Sequence, residues 1–391
     1  MFIKNYVRFI WLIIIVFWVF GCREVKTQSE KIIHFNLDQE AKNIHSTPLI
    51  KDCKIIPLET RDSVLIGKID KAIVYQDRLY VGDFSKTNAV YIFDMQGKFY
   101  HKISRQGRGP EEYLRLYDMF IDPHTGELKL LSRMDKRILT FSGDGTVFKE
   151  VQKIPKMFME LIPSRSGYVG FSANYSEDRE NPFNLWLLDK ELQITGKEFR
   201  IDPVWESKWS SNVTVFSNFR DTVCYVPAVQ NFGVYKLNGE HFSLAYSFDF
   251  GKNQIPVADM TYDEYLKYSR EHPEYVTRLD CFQETDRFLI CQFLFNGQDR
   301  LGLYDKESAQ ASVCSLSPYA GKYFISFGNI VNFSSDYLIT SVNASEMQEK
   351  LRGKNQYVNF EEDYPEQIKR MREEFTDIEE DSNPCVVIYF F

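Results

Sequence analysis

The chain has 391 residues, 44% hydrophobic, 15% aromatic and 26% charged, with a formal net charge of −8 and only six histidines. The acidic balance, with no long basic run and no zinc-finger spacing, excludes a nucleic-acid partner. The apolar and aromatic content excludes a disordered chain and specifies a large, filled core.

The first 21 residues read as a lipoprotein-type signal segment. Lys4 and Arg8 form a basic start, and Phe9 to Phe20 is an unbroken apolar run. That run is too short for a bilayer span of about 20 residues, and it suits the apolar stretch of a secretory signal. It ends in Val19-Phe20-Gly21-Cys22, which resembles a lipobox; Phe20 stands where a small residue is usual. Cys22 is therefore the expected lipidation site and membrane anchor, an uncleaved signal anchor being the alternative. Residues 1–21 carry two positive charges and no negative ones, so the chain from Cys22 onward carries −10. Residues 22–50 read as a linker, and 51–391 as one domain.

Within that domain one pattern recurs: an apolar run, a polar turn and a second β-rich run. It appears at Val90–Ile103, Ile138–Val151, Leu185–Thr195, Gly233–Tyr246 and Leu301–Val313, and ends in Val386–Phe391. Taking Phe93, Phe141, Leu187, Tyr235, Tyr304 and Tyr389 as equivalent gives spacings of 48, 46, 48, 69 and 85 residues. Asp94 to Gly97, Gly143-Asp144-Gly145 and Asn238-Gly239 supply the positive-φ positions that tight hairpins need. Each instance follows another strand-like run, so a unit holds about four short strands, the size of a propeller blade. Six units predict an all-β, six-bladed propeller of four-stranded antiparallel blades. The early run Cys53–Thr60 and the bare terminal strand predict closure of the last blade by both ends of the chain, leaving no open edge.

The two long spacings mark insertions at about 256–278 and 343–378, read as helices in the last two blades. In the second, Tyr364, Ile368, Met371 and Phe375 share one helix face. An exposed face there would suit docking to another protein.

Ile55-Ile56-Pro57-Leu58-Glu59-Thr60, the run Ser63–Asp83, Val90–Phe99 and the loop Gly107-Arg108-Gly109-Pro110-Glu111-Glu112-Tyr113 together resemble the six-bladed β-propeller lipoproteins of Bacteroidota. Members of that family commonly carry Gly-Pro-Gly-Glu-Tyr in the loop, and here Glu111 replaces the second glycine. The resemblance extends from Cys53 to about Phe141 and beyond that only in rhythm. It implies the propeller with NHL-like repeats and a cell-envelope location, and it assigns no activity. The residues after Cys22, Arg23-Glu24-Val25-Lys26, lack an acidic cluster resembling a surface-export tag. The periplasmic face of the outer membrane is therefore the expected location.

The chemistry is less legible. In the loop Arg105–Tyr113, Arg105 and Arg108 offer a grip on a carboxylate or sulfate, with Glu111 or Glu112 as acid or base. The structural alternative is a blade-to-blade turn in which those arginines pair with those glutamates. Trp205 and Trp209, four residues apart, offer a sugar-stacking platform or packing between blades. No His-Glu-x-x-His, EF-hand or Gly-x-Ser-x-Gly pattern occurs, so no metal, cofactor or catalytic residue is assigned. Beyond Cys22 the six cysteines are scattered, without a Cys-x-x-Cys pair. They read as buried thiols, with one or two disulfides left open. The expected role is binding of a carbohydrate, peptide or protein partner in the envelope. A propeller hydrolase or lyase, or a structural subunit of an envelope complex, are the alternatives.

Overall fold

The computed structural model describes residues 30–208, 214–227, 231–256, 260–316, 319–325, 327–354 and 359–391. The signal segment, Cys22 and Trp209 lie outside the described residues. Three short strands open the fold: β1 (Lys31–His34), β2 (Lys42–Asn43) and β3 (Asp52–Pro57). Blade 1 follows as β4 (Lys71–Tyr75), β5 (Arg78–Asp83), β6 (Ala89–Asp94) and β7 (Phe99–Ile103). Blade 2 is β8 (Leu116–Ile121), β9 (Leu128–Ser132), β10 (Arg137–Phe141) and β11 (Phe148–Lys153). Blade 3 is β12 (Glu160–Ser164), β13 (Gly167–Phe171), β14 (Phe183–Leu188) and β15 (Ile194–Arg200).

Blade 4 comprises β16 (Phe216–Phe219), β17 (Thr222–Tyr225), β18 (Gly233–Asn238) and β19 (His241–Asp249). Helix α1 (Tyr262–Glu271) leads into blade 5, formed by β20 (Cys281–Glu284), β21 (Phe288–Phe295), β22 (Gln298–Asp305) and β23 (Gln310–Ser315). A small hairpin, β24 (Tyr319–Ala320) and β25 (Phe324–Ile325), precedes blade 6. That blade contains β26 (Asn329–Phe333), β27 (Tyr337–Val342) and β28 (Cys385–Phe390), with β3 as its fourth strand. Helices α2 (Ala344–Arg352), α3 (Phe360–Asp363) and α4 (Pro365–Glu374) are inserted between β27 and β28.

The predicted closure is present: β3 pairs antiparallel with β28, Ile56 opposite Val386 and Cys53 opposite Tyr389. All six residues taken as equivalent lie on the third strand of their blades. In blades 1 to 4 the pairing of third and fourth strands shifts register at or beside that residue. Gly97, Gly145 and Gly239 have φ of 84°, 74° and 65°, as the hairpin turns require. Three first-to-second or second-to-third hairpins use pairs of positive-φ residues instead: Gln76-Asp77, Arg220-Asp221 and Asn296-Gly297.

Six apolar clusters fill the six interfaces between adjacent blades. Leu79, Tyr91 and Phe93 of blade 1 meet Val331, Ile339 and Ile388 of blade 6, so the closing interface is as apolar as the others. Such two-sided burial explains why the strands read as continuous apolar runs rather than as an alternation.

The segment read as a linker over 22–50 belongs to the fold from residue 31 onward. β1 adds to blade 4 beside β19, and β2 to blade 5 beside β23, both parallel. Ile33, Phe35, Ile44 and Leu49 are buried there. The chain thus straps blades 4 and 5 before closing blade 6. Both insertions are helical, as predicted. The apolar face of α4 is turned inward: Ile368 and Met371 are fully buried, and Tyr364 stacks on Phe324 at 4.3 Å.

Candidate functional site

The first strands of blades 1, 2, 3, 4 and 6 line a central channel of about 480 Å³. Its walls are largely apolar, with Ile73, Phe120, Ile162, Phe216 and Val331 among them. Ser217, Asn218, Asn332 and Ser334 add polar lining, and a group of charged and hydroxyl side chains lies among them. Lys71 opens β4, Glu160 opens β12, and Thr214 lies just before β16, so this group sits at the end where the first strands begin.

Lys71 Nζ donates to Asp118 Oδ1 at 2.6 Å. The Asp118 carboxylate also accepts from the N–H groups of Met119 (2.8 Å) and Leu161 (3.1 Å), tying blades 1, 2 and 3 together. Glu160 accepts from the Thr214 hydroxyl and from Val215 N–H at 3.2 Å. Burial pushes the Glu160 carboxyl up to about 7, and Asp118 adds to this against the opposing charge of Lys71. For Lys71, burial works against the ammonium. The charges of Asp118 and Glu160 outweigh it and hold the lysine above its ordinary value. The channel thus contains a fixed ammonium beside a carboxyl that changes protonation near neutrality, a combination found where acid–base work is done.

The Arg105–Tyr113 loop, between β7 and β8, is built as a structural clasp. Tyr113 is fully buried; its hydroxyl donates to the Asn88 carbonyl at 2.8 Å and accepts from Arg105 N–H at 3.2 Å. Arg105 donates to Glu111 at 2.8 Å and lies over the Phe148 ring. Glu112 accepts from Gly109 N–H at 2.7 Å. Its carboxylate fills the space that a side chain on Gly107 would take: a Cβ there would sit 1.9 Å from Glu112 Oε2. Four of the five candidate residues are therefore engaged within the loop or with the adjoining blades. Arg108 is exposed and has no side-chain partner among the described residues.

Trp205 is buried edge-on against Tyr262 and Tyr265 of α1, at 5.6 and 5.3 Å. It packs an insertion helix to the propeller. The six described cysteines are buried free thiols, which leaves no disulfide among them. Among the described residues no three His, Cys, Asp or Glu side chains gather as a metal site. The channel group was not singled out from the sequence, because it comes from four blades. A signal exists nonetheless: Lys71, Asp118, Glu160 and Thr214 lie 47, 42 and 54 residues apart, close to one blade repeat.

A family profile described as a domain of unknown function, DUF4934, matches residues 30–390. The chain belongs to the DUF4934 family. The match begins at the strap and ends in β28, so it takes in the whole propeller of this DUF4934 protein. No functionally curated protein matches it. Among solved structures it is similar to a protein described as exported from Bacteroides fragilis, at 18% identity and a TM-score of 0.71. That match covers 92% of this chain and 99% of the other. It is also similar to a DUF4221 family member from Bacteroides vulgatus, at 9% identity and a TM-score of 0.51, over 88% and 97% of the two chains. At these identities the likeness is one of fold. Among the described residues of the DUF4934 chain, no helix is long and apolar enough to cross a membrane.

Proposed function

We propose that this DUF4934 protein is a lipid-anchored propeller of the cell envelope that binds a small ligand in its central channel. The observation that carries the reading is the Lys71–Asp118–Glu160–Thr214 group in a largely apolar cavity of about 480 Å³. A mostly apolar, concave site with a few convergent polar groups is the usual form of a small-molecule pocket, and this volume lies within the range of roughly 300–1,000 Å³. Carbohydrates and short peptides present both apolar surface and hydrogen-bonding groups, and they are the first classes to try. The anchor is Cys22, on the periplasmic face of the outer membrane. Support comes from the sequence of the signal segment and from the exported neighbour of the same fold.

The test is a thermal-shift screen of glycans and peptides against the wild type, Lys71→Met and Glu160→Gln. A ligand that raises the wild-type melting temperature and fails to raise that of the variants supports the channel. A ligand that stabilises all three equally overturns it. For the anchor, Cys22→Ala releases the protein from membranes; continued retention contradicts it.

A second reading, acid–base catalysis on the bound ligand, is favoured by the Glu160 carboxyl, pushed up to about 7 beside Lys71. Here Glu160 exchanges the proton and the Lys71 ammonium steadies developing negative charge, as in a propeller hydrolase or lyase. The structural-subunit alternative has less support. The α4 face that would have served for docking is buried against the protein's own β25 and blades 5 and 6.

A further inference from the structure

We propose that the mouth of the channel carries an oxyanion site built from Arg115 and Arg133 around Tyr117, selecting ligands that bear a carboxylate, sulfate or phosphate. This rests on the reading that the ligand enters the channel, and it assigns the ligand's charge. Tyr117 and Met159 both line the channel, each one residue before a member of the charged group, Asp118 and Glu160. The Arg115 and Arg133 guanidinium carbons lie over the Tyr117 ring, 5.5 and 5.6 Å from its centroid. Arg133 lies equally close to Tyr175, at 5.5 Å.

Neither arginine forms an ion pair among the described residues. Arg133 Nε is buried without a hydrogen-bond partner, and its one side-chain contact to an acceptor is the Met159 sulfur at 3.6 Å, a weak acceptor. Nearby arginines differ: Arg105 is paired with Glu111, and Arg137 donates to the carbonyls of Gly109 and Glu112. Each guanidinium, held over the Tyr117 ring with unused N–H groups, is a preorganised fork. Its geometry fits the paired oxygens of carboxylate, sulfate or phosphate, and aromatic contact keeps both heads in place before the anion arrives. The uncharged body of the ligand then continues past Tyr117 into the apolar channel, towards Lys71 and Glu160.

The experiment titrates inorganic phosphate, sulfate and glucuronate into the wild type, Arg115→Gln, the double variant Arg115→Gln/Arg133→Gln, and Glu160→Gln, with calorimetry and melting temperature as readouts. At least one anion binds the wild type, binds Arg115→Gln at least tenfold more weakly, and does not bind the double variant. Glu160→Gln retains that anion, and the preferred probe identifies the oxyanion. In anion-free buffer the double variant still unfolds cooperatively, because neither of the two charges it removes has an ion-pair partner among the described residues and only their contacts to Tyr117, Tyr175 and Met159 are lost. Equal anion binding by wild type and double variant overturns the proposal, as does absence of binding by all three anions. A neutral ligand that stabilises the wild type but not Glu160→Gln, with no anion bound, would leave the channel reading standing and remove this one.

Discussion

The Tyr113 hydroxyl donates to the Asn88 carbonyl 2.8 Å away, and the Asn88 side chain in turn holds Leu114 and Leu116. These two residues join the end of the glycine-rich loop to the start of β6, one blade back. Asn88 adopts φ of 51°, a conformation that asparagine tolerates better than most residues. Tyr113→Phe is expected to cost about 1–3 kcal/mol, the penalty of leaving buried backbone groups unpaired. Asn88→Ala costs more, since it removes two bonds and favours a different backbone. Urea unfolding measures both. Arg108→Ala, by contrast, leaves the midpoint unchanged.

Gly107 tests the same clasp from the other side. Gly107→Ala places a methyl group where the Glu112 carboxylate now sits, so Glu112 must leave Gly109 N–H. The two changes Gly107→Ala and Glu112→Ala therefore combine to less than the sum of their separate effects. Strict additivity in that double-mutant cycle would show that the carboxylate does not occupy this space.

Closure of the ring predicts a sharp contrast between two isoleucines of the N-terminal segment. Ile56, on β3, is 1% exposed and packs into the cluster joining blades 6 and 1. Ile32, on β1, is 55% exposed. Ile56→Ala is expected to destabilise by roughly 2–5 kcal/mol, and Ile32→Ala by less than about 0.5 kcal/mol. Denaturant midpoints at equal m-value separate them.

Glu160 gives the protein a pH signature. Its folded pKa, about 7, lies above its ordinary value of 4.5, so the folded state holds a proton that the unfolded chain has released. The associated stability is fully present below pH 4.5 and is lost as pH rises towards 7, with no further change from this group above that. Glu160→Gln removes this component, so the difference in stability between variant and wild type changes across that window. A difference that stays constant between pH 4.5 and 7 would place the Glu160 carboxyl at its ordinary value.

The thiols should be silent in the native protein. Burial pushes Cys53, Cys224 and Cys385 up to about 12 and Cys314 up to about 11, with Cys281 and Cys291 also well above the ordinary range. Because the thiolate is the reactive form, Cys22→Ala protein should yield no fast-reacting thiol when native and six when denatured. Fewer than six on denaturation would reveal a disulfide.

The fold was legible because blade rhythm is written locally. Phe93, Phe141 and Leu187 recur at nearly constant spacing on third strands, and each is followed by a turn with a positive-φ residue, Gly97, Gly145 and Leu192 in turn. The strap was not legible, since two- and four-residue parallel strands carry too little pattern to stand out from a linker. The loop Arg105–Tyr113 drew attention by composition, yet Arg105 pairs with Glu111 and Glu112 is taken up by the Gly109 N–H. The residues that converge on the channel are single positions in four different blades. Only the ring geometry brings Lys71 to Asp118 and Glu160 to Thr214. Trp205 looked like an exposed ring because the helix that covers it arrives some 60 residues later in the chain.

The central claim is that the ligand lies in the channel beside Lys71 and Glu160, and a crystal structure of the protein with a stabilising compound from the thermal-shift screen tests it most directly. The account predicts density within the ring of first strands, with a polar group in hydrogen-bonding reach of Lys71 or Glu160. Density confined to the Arg105–Tyr113 loop or to the outer edge of the blades, with the channel unchanged, would contradict it.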